Sequence, residues 1–222
     1  MTNILITGAT GFVGKQVLKG LELVECNITV VSRLDAENFS GYQNVKKCIY
    51  TNDLFLENED WLLESLEGID TVIHLAWYAE PKNYLSGEEN LSCLVGTLNL
   101  AKAVCKSGVT RFIGVGTCAE YDTKFDVLST DTPLNPQNLY ASCKASVFLT
   151  LNSLFAKYNI GFVWCRLFFL FGEGESEQRL HGYIKNQISK NKIINLTSGD
   201  QVRDYMDVSD ASSSLPFLSP NS

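Results

Sequence analysis

The sequence predicts an α/β protein with a doubly wound parallel sheet of the Rossmann type, followed by a small and incomplete C-terminal lobe. Short apolar runs rich in Ile, Val and Leu alternate with longer segments of helical periodicity. This alternation is typical of a parallel sheet whose two faces are both covered by helices. A glycine-rich turn follows the first apolar run and opens the first helical segment, as in the first βαβ unit of such folds.

Six apolar runs are predicted to be strands, and they lie at residues 4–6, 28–31, 47–50, 71–75, 112–115 and 162–168. Apolar residues at helical spacing predict helices at residues 14–23, 61–66, 91–107, 139–158 and 180–189. Gly108 follows the third of these helices, and we expect it to be the C-terminal cap.

The chain of 222 residues is long enough for one substantial α/β domain and part of another. We predict a dinucleotide-binding domain over residues 1–165 and a partial substrate-binding lobe over residues 166–210. Residues 211–222 are polar, rich in Ser and Pro, and lack periodicity, so we expect a disordered tail there.

Charge and cysteine content exclude several classes of function. The formal net charge of −7 disfavours a broad nucleic-acid surface, which needs clustered Lys and Arg. The seven cysteines are odd in number and contain no C-x-x-C pair, which favours reduced thiols over a disulfide framework or a zinc site. We find neither a secretory signal nor an apolar segment of membrane-spanning length. We therefore expect a cytoplasmic protein without a metal ion, a membrane or a nucleic-acid partner.

The glycine-rich turn predicts a pyrophosphate site. Gly8, Gly11 and Gly14 follow the first strand and open the first helix. Glycines permit a tight turn, and they let backbone amides approach a pyrophosphate at the positive end of the helix. The first gap is one residue longer than in the dehydrogenase fingerprint G-x-G-x-x-G, and a tight turn without a ligand is the alternative. The strand–turn–helix context favours dinucleotide binding.

The end of the second strand favours NADP(H) over NAD(H), although NAD(H) stays possible. An NAD enzyme would be expected to carry a carboxylate here for the ribose 2′-hydroxyl. Ser32 stands in that place, and the neighbouring Arg33 is suited to a 2′-phosphate through charge-assisted hydrogen bonds. A solvated surface arginine is the alternative.

A Tyr-x-x-x-Lys pair on the long helix is suited to proton transfer. Tyr140 and Lys144 lie one helical turn apart and therefore share a face. A phenol has a pKa near 10, and a neighbouring ammonium favours the phenolate and brings that pKa toward neutrality. Surface Tyr and Lys residues produce this spacing by chance, but here the pair follows the fifth strand of a dinucleotide-binding fold.

The order of these motifs resembles the extended short-chain dehydrogenase/reductase family, and more narrowly its NAD-dependent epimerase/dehydratase group. The resemblance is carried by residues 7–14, 52–54, 74–76, 140–144 and 203–210. Members of that group act on nucleotide sugars. The segments R-L-F-F-L-F-G-E-G-E (166–175) and S-G-D-Q-V-R-D-Y (198–205) are similar to those of the 4-ketoreductases that make CDP-abequose and related 6-deoxyhexoses.

The resemblance implies a role for each matching residue. Tyr140 is the implied general acid/base, Lys144 assists it and binds the nicotinamide ribose, and Thr117 hydrogen-bonds the sugar oxygen. A hydroxyl that only satisfies backbone groups at the strand end is the alternative for Thr117. The implied cofactor contacts are Gly8, Gly11, Phe12, Val13, Gly14, Asp53, Leu54, Leu75 and Ala76.

On the substrate side, the resemblance implies that Arg203 holds the sugar-nucleotide diphosphate. A surface ion pair is the alternative for Arg203. Phe169 occupies the position of a customary Asn that contacts phosphate, so that contact is expected to change. His74 and His181 are expected to be a strand residue and a helix-surface residue, not metal ligands. The resemblance also implies a homodimer formed through the two long helices.

Three departures from the group bear on the reaction. Cys118 and Ala119 stand where dehydratases carry an Asp-Glu pair, which argues against the elimination of water. Cys93 replaces a customary Asn. Members of the group also continue well beyond the R-D-Y motif, so the chain appears as a C-terminally shortened member whose sugar site is expected to be open, which weakens catalysis.

The sequence therefore predicts reduction of a nucleotide-linked 4-keto-6-deoxyhexose at C4, with NADPH as the hydride donor. Two alternatives stay open. A 4-epimerase would use the same catalytic groups and retain its NAD, and a non-catalytic protein or truncated fragment would bind the dinucleotide without turnover.

Overall fold

The computed structural model describes residues 1–215, and its central element is a six-stranded parallel sheet. The strand order is β3-β2-β1-β4-β5-β6, so the direction of winding reverses between β1 and β4. This order confirms the predicted doubly wound fold. The strands are β1 (Thr2–Thr7), β2 (Cys26–Ser32), β3 (Val45–Tyr50), β4 (Thr71–His74), β5 (Arg111–Thr117) and β6 (Gly161–Leu167).

Helices cover both faces of the sheet. They are α1 (Phe12–Leu21), α2 (Glu59–Ser65), α3 (Glu89–Val104), α4 (Leu139–Tyr158), α5 (Leu180–Ser189) and α6 (Val208–Ser214). Alternate side chains of β1 enter two different cores: Leu5 packs with α3 and α4, whereas Ile4 and Ile6 pack with α1. This arrangement explains why the strands are continuously apolar, because side chains on both faces are buried.

The end of α3 differs from the sequence-based expectation. The helix ends at Val104, and Cys105 follows in the right-handed conformation, so the prediction of Gly108 as its cap is wrong. The chain instead tightens after the helix: the amides of Lys106 and Ser107 donate to the carbonyls of residues 103 and 104. Such short-range bonds satisfy terminal carbonyls without a left-handed residue.

A small lobe follows β6. It contains α5 and a parallel pair of short strands, β7 (Phe169–Phe171) and β8 (Tyr205–Asp207). The boundary at residue 165 between a dinucleotide-binding domain and this lobe stays a prediction.

The predicted disordered tail begins too early. Residues 211–214 belong to α6, and Ala211, Ser212 and Leu215 are buried. The helix lies against α1, where the Ser212 hydroxyl donates to the Val13 carbonyl oxygen at 3.4 Å. The prediction rested on the polar composition that the serines give this segment. Serine side chains are nevertheless small enough to let helices pack closely, and the few apolar residues of the segment face the core. Residues 216–222 lie outside the described part of the chain.

Within residues 1–215, no helix has both the length and the apolar character that crossing a membrane requires. Over the same residues, no group of three His, Cys, Asp or Glu side chains is arranged to hold a metal ion.

The packing of α6 predicts that Leu215 contributes to stability. Its side chain is 2% exposed and belongs to the core cluster around α1. We expect Leu215→Ala to lower the free energy of unfolding by roughly 2–4 kcal/mol, since it removes a buried side chain and leaves a cavity. Leu23→Ala is the matched control, because Leu23 is 93% exposed. Urea unfolding of both variants is the measurement, and equal midpoints would mean that the segment does not dock.

Candidate active site

The glycine-rich turn is built by close contact between the ends of β1 and β4. Gly8 has a φ of +74°, and a Cβ placed on it would lie 2.5 Å from the backbone nitrogen of Ala76 and 2.7 Å from the carbonyl carbon of Leu75. A Cβ on Gly14 would collide with the carbonyl oxygen of Gly8. Only glycine fits both positions, so the predicted roles of these residues in a tight turn agree with the geometry.

The start of α1 is suited to bind an anion. Gly11 is the N-terminal cap residue, no side chain caps the helix, and its first turn carries no acidic residue. The amides of Phe12 and Val13 therefore have no side-chain acceptor within residues 1–215, and the positive end of the helix dipole adds to their field. A dinucleotide pyrophosphate fits this turn. The cofactor contacts of Gly8, Gly11, Phe12, Val13 and Gly14 stay predictions.

The end of β2 places Ser32 and Arg33 differently. Ser32 is buried, and its hydroxyl accepts a hydrogen bond of 2.8 Å from the amide of Leu34. Arg33 is exposed, and no ion pair involves it among the described residues. The guanidinium is therefore available to an anionic ligand, whereas Ser32 shapes the turn that presents it.

Asp53 and Leu54 begin a short 3₁₀ turn after β3. The Asp53 carboxylate accepts a hydrogen bond of 2.9 Å from the amide of Phe55 and so caps this turn. Phe55 in turn lies against Gly96 of α3, where a Cβ would be 2.5 Å from its backbone. Leu54 is half-buried. The two predicted adenine contacts thus lie on a segment that is fixed to α3.

Thr117 is the last residue of β5. Its hydroxyl accepts a hydrogen bond of 3.2 Å from the amide of Ala119, and its own amide donates to the Glu120 carboxylate at 2.8 Å. The alternative considered for Thr117, a hydroxyl that satisfies a backbone group at the strand end, is therefore present in the structure. That bond does not use the hydroxyl proton, and the same hydroxyl is close enough to Tyr140 to lower the pKa of its phenol.

Tyr140 lies in the first turn of α4, where Asn138 caps the helix. Its ring packs against Trp77 and Tyr84, with centroid distances of 6.4 and 5.1 Å. Burial raises the pKa of Tyr140 above its usual value, and the Tyr84 phenol adds to this shift, while the Thr117 side chain lowers that pKa. The phenol is therefore a proton donor at neutral pH.

Lys144 differs from the expected arrangement. Its side chain is buried, and its ammonium donates to the carbonyl oxygen of Val115 at 2.7 Å. We expected it to lower the pKa of Tyr140, but burial outweighs any such effect and that pKa is raised. Burial also lowers the pKa of Lys144 to about 7, and the Glu120 carboxylate opposes that shift.

Two residues of the lobe carry the predicted substrate contacts. The Arg203 guanidinium lies 5.0 Å from the ring centroid of Phe169, and Phe169 in turn contacts Tyr205. Arg203 is exposed and close enough to the thiol of Cys118 to lower its pKa, although burial dominates and raises that pKa. The lobe thus brings an arginine to the end of β5.

The two histidines have structural surroundings. His74 is buried between the hydroxyls of Thr7 and Thr97, at 2.8 and 3.0 Å, and burial lowers its pKa to about 3. The neutral imidazole therefore joins β1, β4 and α3. His181 was expected at a helix surface, but its ring packs 4.6 Å from that of Phe171 and is half-buried.

The model of the NAD dependent epimerase/dehydratase family matches residues 4–218. The chain belongs to this family. This match confirms the predicted family. It also confirms the prediction that the protein is an enzyme of the type found in that family.

Within the NAD dependent epimerase/dehydratase family, two relatives illustrate the range of similarity. CDP-abequose synthase of Salmonella typhimurium is 26% identical over 213 residues, which are 93% of this chain and 66% of that protein. The dTDP-6-deoxy-L-talose 4-dehydrogenase (NAD(+)) of Aggregatibacter actinomycetemcomitans is 23% identical over 215 residues, 95% of this chain and 77% of that protein.

Solved structures share the fold. The UDP-N-acetylglucosamine 4-epimerase from Methanobrevibacter ruminantium M1, in complex with UDP-N-acetylmuramic acid, has a TM-score of 0.85 and 23% identity. The match covers 100% of this chain and 73% of that one. The UDP-glucuronic acid 4-epimerase from Bacillus cereus, in complex with UDP-glucuronic acid and NAD, has a TM-score of 0.81 and 21% identity, with coverages of 95% and 71%.

Sequence reasoning missed a buried ion pair at the end of β5. The Glu120 carboxylate is fully buried and pairs with Arg166 at 2.7 Å. It also accepts hydrogen bonds from Trp164 and from the amide of Thr117. A buried carboxylate needs such partners. One signal in the sequence was Gly116, where a Cβ would collide with the Glu120 carboxylate.

Proposed function

We propose that this enzyme reduces a nucleotide-linked 4-keto-6-deoxyhexose at C4, with NADPH as its cofactor. One observation carries the proposal. Residues 75–77 run from the glycine turn to the Tyr-Lys pair: Ala76 meets Gly8 at one end, and Trp77 contacts both Tyr140 and Lys144 at the other. A dinucleotide that lies along this segment with its pyrophosphate at the glycine turn has its nicotinamide end beside the phenol.

The chain's own residues account for the movement of the proton. A bound nicotinamide supplies hydride chemistry at the sugar carbon. Tyr140 donates a proton to the C4 oxygen, and its raised pKa keeps the phenol protonated before the reaction. The Thr117 hydroxyl donates a hydrogen bond to the same oxygen. Lys144 orients the nicotinamide ribose from its position between β5 and α4, where Val115 holds it.

Two features favour reduction over dehydration. Cys118 and Ala119 provide no carboxylate at the positions where dehydratases carry theirs. Among the relatives named above, the dTDP-6-deoxy-L-talose 4-dehydrogenase (NAD(+)) bears the name of an enzyme that changes the oxidation state of a nucleotide-linked deoxysugar.

A 4-epimerase is the second candidate. Two of the structures that share the fold are sugar-nucleotide 4-epimerases, and one of them holds NAD. An epimerase also needs Thr117, Tyr140 and Lys144, but it regenerates its nicotinamide in each cycle, so the two candidates differ in net cofactor consumption.

Positive charge at the substrate side supports an anionic substrate such as a nucleotide-diphosphate sugar. Arg203 lies near Cys118, and Arg179, at the start of α5, is close enough to lower the pKa of Tyr140. Both guanidiniums are exposed and are suited to a diphosphate. Arg179 was not among the residues singled out from the sequence.

The first expected outcome is turnover. The purified protein with NADPH and a 4-keto-6-deoxyhexose nucleotide should oxidise the cofactor and form one equivalent of alcohol. Tyr140→Phe should lower kcat at least about 100-fold, because it removes the general acid. Absorbance at the nicotinamide band and analysis of the sugar product are the measurements.

Three results separate the candidates. Consumption of NADPH with alcohol product supports the reductase. Interconversion of sugars without net consumption, with NAD retained on purification, supports the epimerase. Dinucleotide binding that is unaffected by Tyr140→Phe, with no turnover on any sugar nucleotide, supports a non-catalytic binding protein and contradicts our proposal.

The second expected outcome concerns the choice of cofactor. Arg33 is exposed and has no ion-pair partner within residues 1–215. If it binds the 2′-phosphate, Arg33→Ala should weaken NADPH binding about tenfold, in line with a charge-assisted hydrogen bond. The affinity for NADH should not change, which is the internal control in a fluorescence titration. Equal losses for the two cofactors would reject this role of Arg33.

We also propose a homodimer formed through α3 and α4. Apolar side chains on these two adjoining helices face solvent: Leu91, Val95 and Leu149 are 48%, 56% and 57% exposed. Light scattering should give a mass of about twice 24.7 kDa. Val95→Asp with Leu149→Asp should give the monomer, while Leu23→Asp, on another surface, should not. A monomeric wild type contradicts the proposal.

The seven cysteines are all free thiols, which supports the further proposal of a cytoplasmic location. Cell fractionation is its test.

A further inference from the structure

The ammonium of Lys144 lies between two indole rings. Its nitrogen is 3.9 Å from the ring centroid of Trp77 and 5.8 Å from that of Trp164. Its hydrogen bond to Val115 is the single one recorded for it among the described residues, and the side chain is buried. Both indole faces are therefore placed where they can stabilise the charge.

The indole of Trp77 is fixed by a buried amide. Its Nε1 donates to the Asn90 side-chain oxygen at 2.8 Å. Asn90 is fully buried, and its own amide nitrogen donates to the carbonyl oxygens of Tyr84 and Gly87 at 2.7 and 2.8 Å. Rotating the indole would leave its Nε1–H and the Asn90 side-chain oxygen without each other as partners, so the ring is held in one orientation.

The indole of Trp164 is fixed by the buried ion pair. Its Nε1 donates to both carboxylate oxygens of Glu120, at 3.1 and 3.2 Å, and Arg166 donates to the same carboxylate at 2.7 Å. The ring lies against β5 where the strand has no side chains: a Cβ on Gly114 would be 2.5 Å from the indole. Trp164 therefore has a defined orientation as well.

The other groups around Lys144 offset the effect of its burial only in part. Three titratable side chains face it from neighbouring elements: Glu120 after β5, Cys93 on α3 and His74 on β4. Glu120 is already paired with Arg166, His74 is neutral, and burial raises the pKa of Cys93 to about 11, so its thiol is also neutral. Burial by itself favours the neutral amine of Lys144.

We propose that Trp77 and Trp164 form an indole clamp that keeps the Lys144 ammonium charged and in place beside β5. They are positioning residues, since they act on the sugar and the cofactor only through Lys144. The significance of the clamp for catalysis rests on the proposed function, but its effect on Lys144 does not. Trp77 is the main contributor because its face is nearer.

The test measures the protonation of Lys144 directly. In protein labelled with ¹³C-lysine, the Cε resonance reports ionisation, and Lys144→Met identifies the signal. We expect Trp77→Leu to lower the pKa of Lys144 by about one unit, because leucine fills the space without a π face. Trp77→Phe should give a smaller decrease. Trp61→Leu is the matched control, since Trp61 lies on α2 and is not among the rings near Lys144.

An unchanged or raised pKa in Trp77→Leu, relative to Trp61→Leu, would overturn the clamp. Should Trp77→Leu fail to fold, Trp77→Phe decides, and a pKa equal to that of wild type overturns the proposal.

Turnover gives a second readout. For Trp77→Leu, the alkaline limb of the pH profile of kcat, where Lys144 loses its proton, should move down by the same amount. A shifted resonance without turnover in any variant would reject the proposed reaction and leave the clamp intact. Turnover with an unshifted resonance would reject the clamp and leave the proposed reaction intact.

Discussion

The close approach of two strand ends at Gly8 is the constraint on which the site depends. A side chain at Gly8 would collide with the backbone of residues 75 and 76, so β1 and β4 can end this close together only around a glycine. The chain that leaves this contact continues directly to Trp77, whose indole touches Tyr140 and Lys144. One steric requirement therefore positions both the glycine turn and the indole that contacts Tyr140 and Lys144.

Much of the fold was predictable because its signals are local. Apolar runs and helical periodicity located all six strands of the sheet and five helices, since each pattern is contained in one segment. The Tyr-x-x-x-Lys spacing likewise fixed two side chains on one face of α4. The glycine spacing predicted the turn. A left-handed backbone conformation and a close approach to another segment both require glycine, and glycines are visible in the sequence.

What could not be predicted depends on partners far apart in the chain. No neighbouring residue in the sequence distinguishes Glu120 from an ordinary surface residue. Its buried partners, Trp164 and Arg166, lie more than 40 positions later in the chain. Asn90 and Trp77 show no local pattern that joins them. The serines of α6 read as a disordered tail, since composition does not reveal that small residues let this helix lie on α1.

Burial acts on both Tyr140 and Lys144 and favours the neutral form of each. For Tyr140 this suits the proposed reduction, in which a protonated phenol would give its proton to the sugar oxygen. For Lys144 the same burial is unfavourable, because it favours the neutral amine over the charged ammonium. A nearby free carboxylate would restore the charge of the lysine, but it would also raise the pKa of the phenol further. Aromatic faces avoid this conflict: they stabilise the ammonium at short range and carry no net charge that acts on Tyr140. Glu120 still acts as such a carboxylate although it is paired with Arg166, because its charge raises the pKa of both Tyr140 and Lys144.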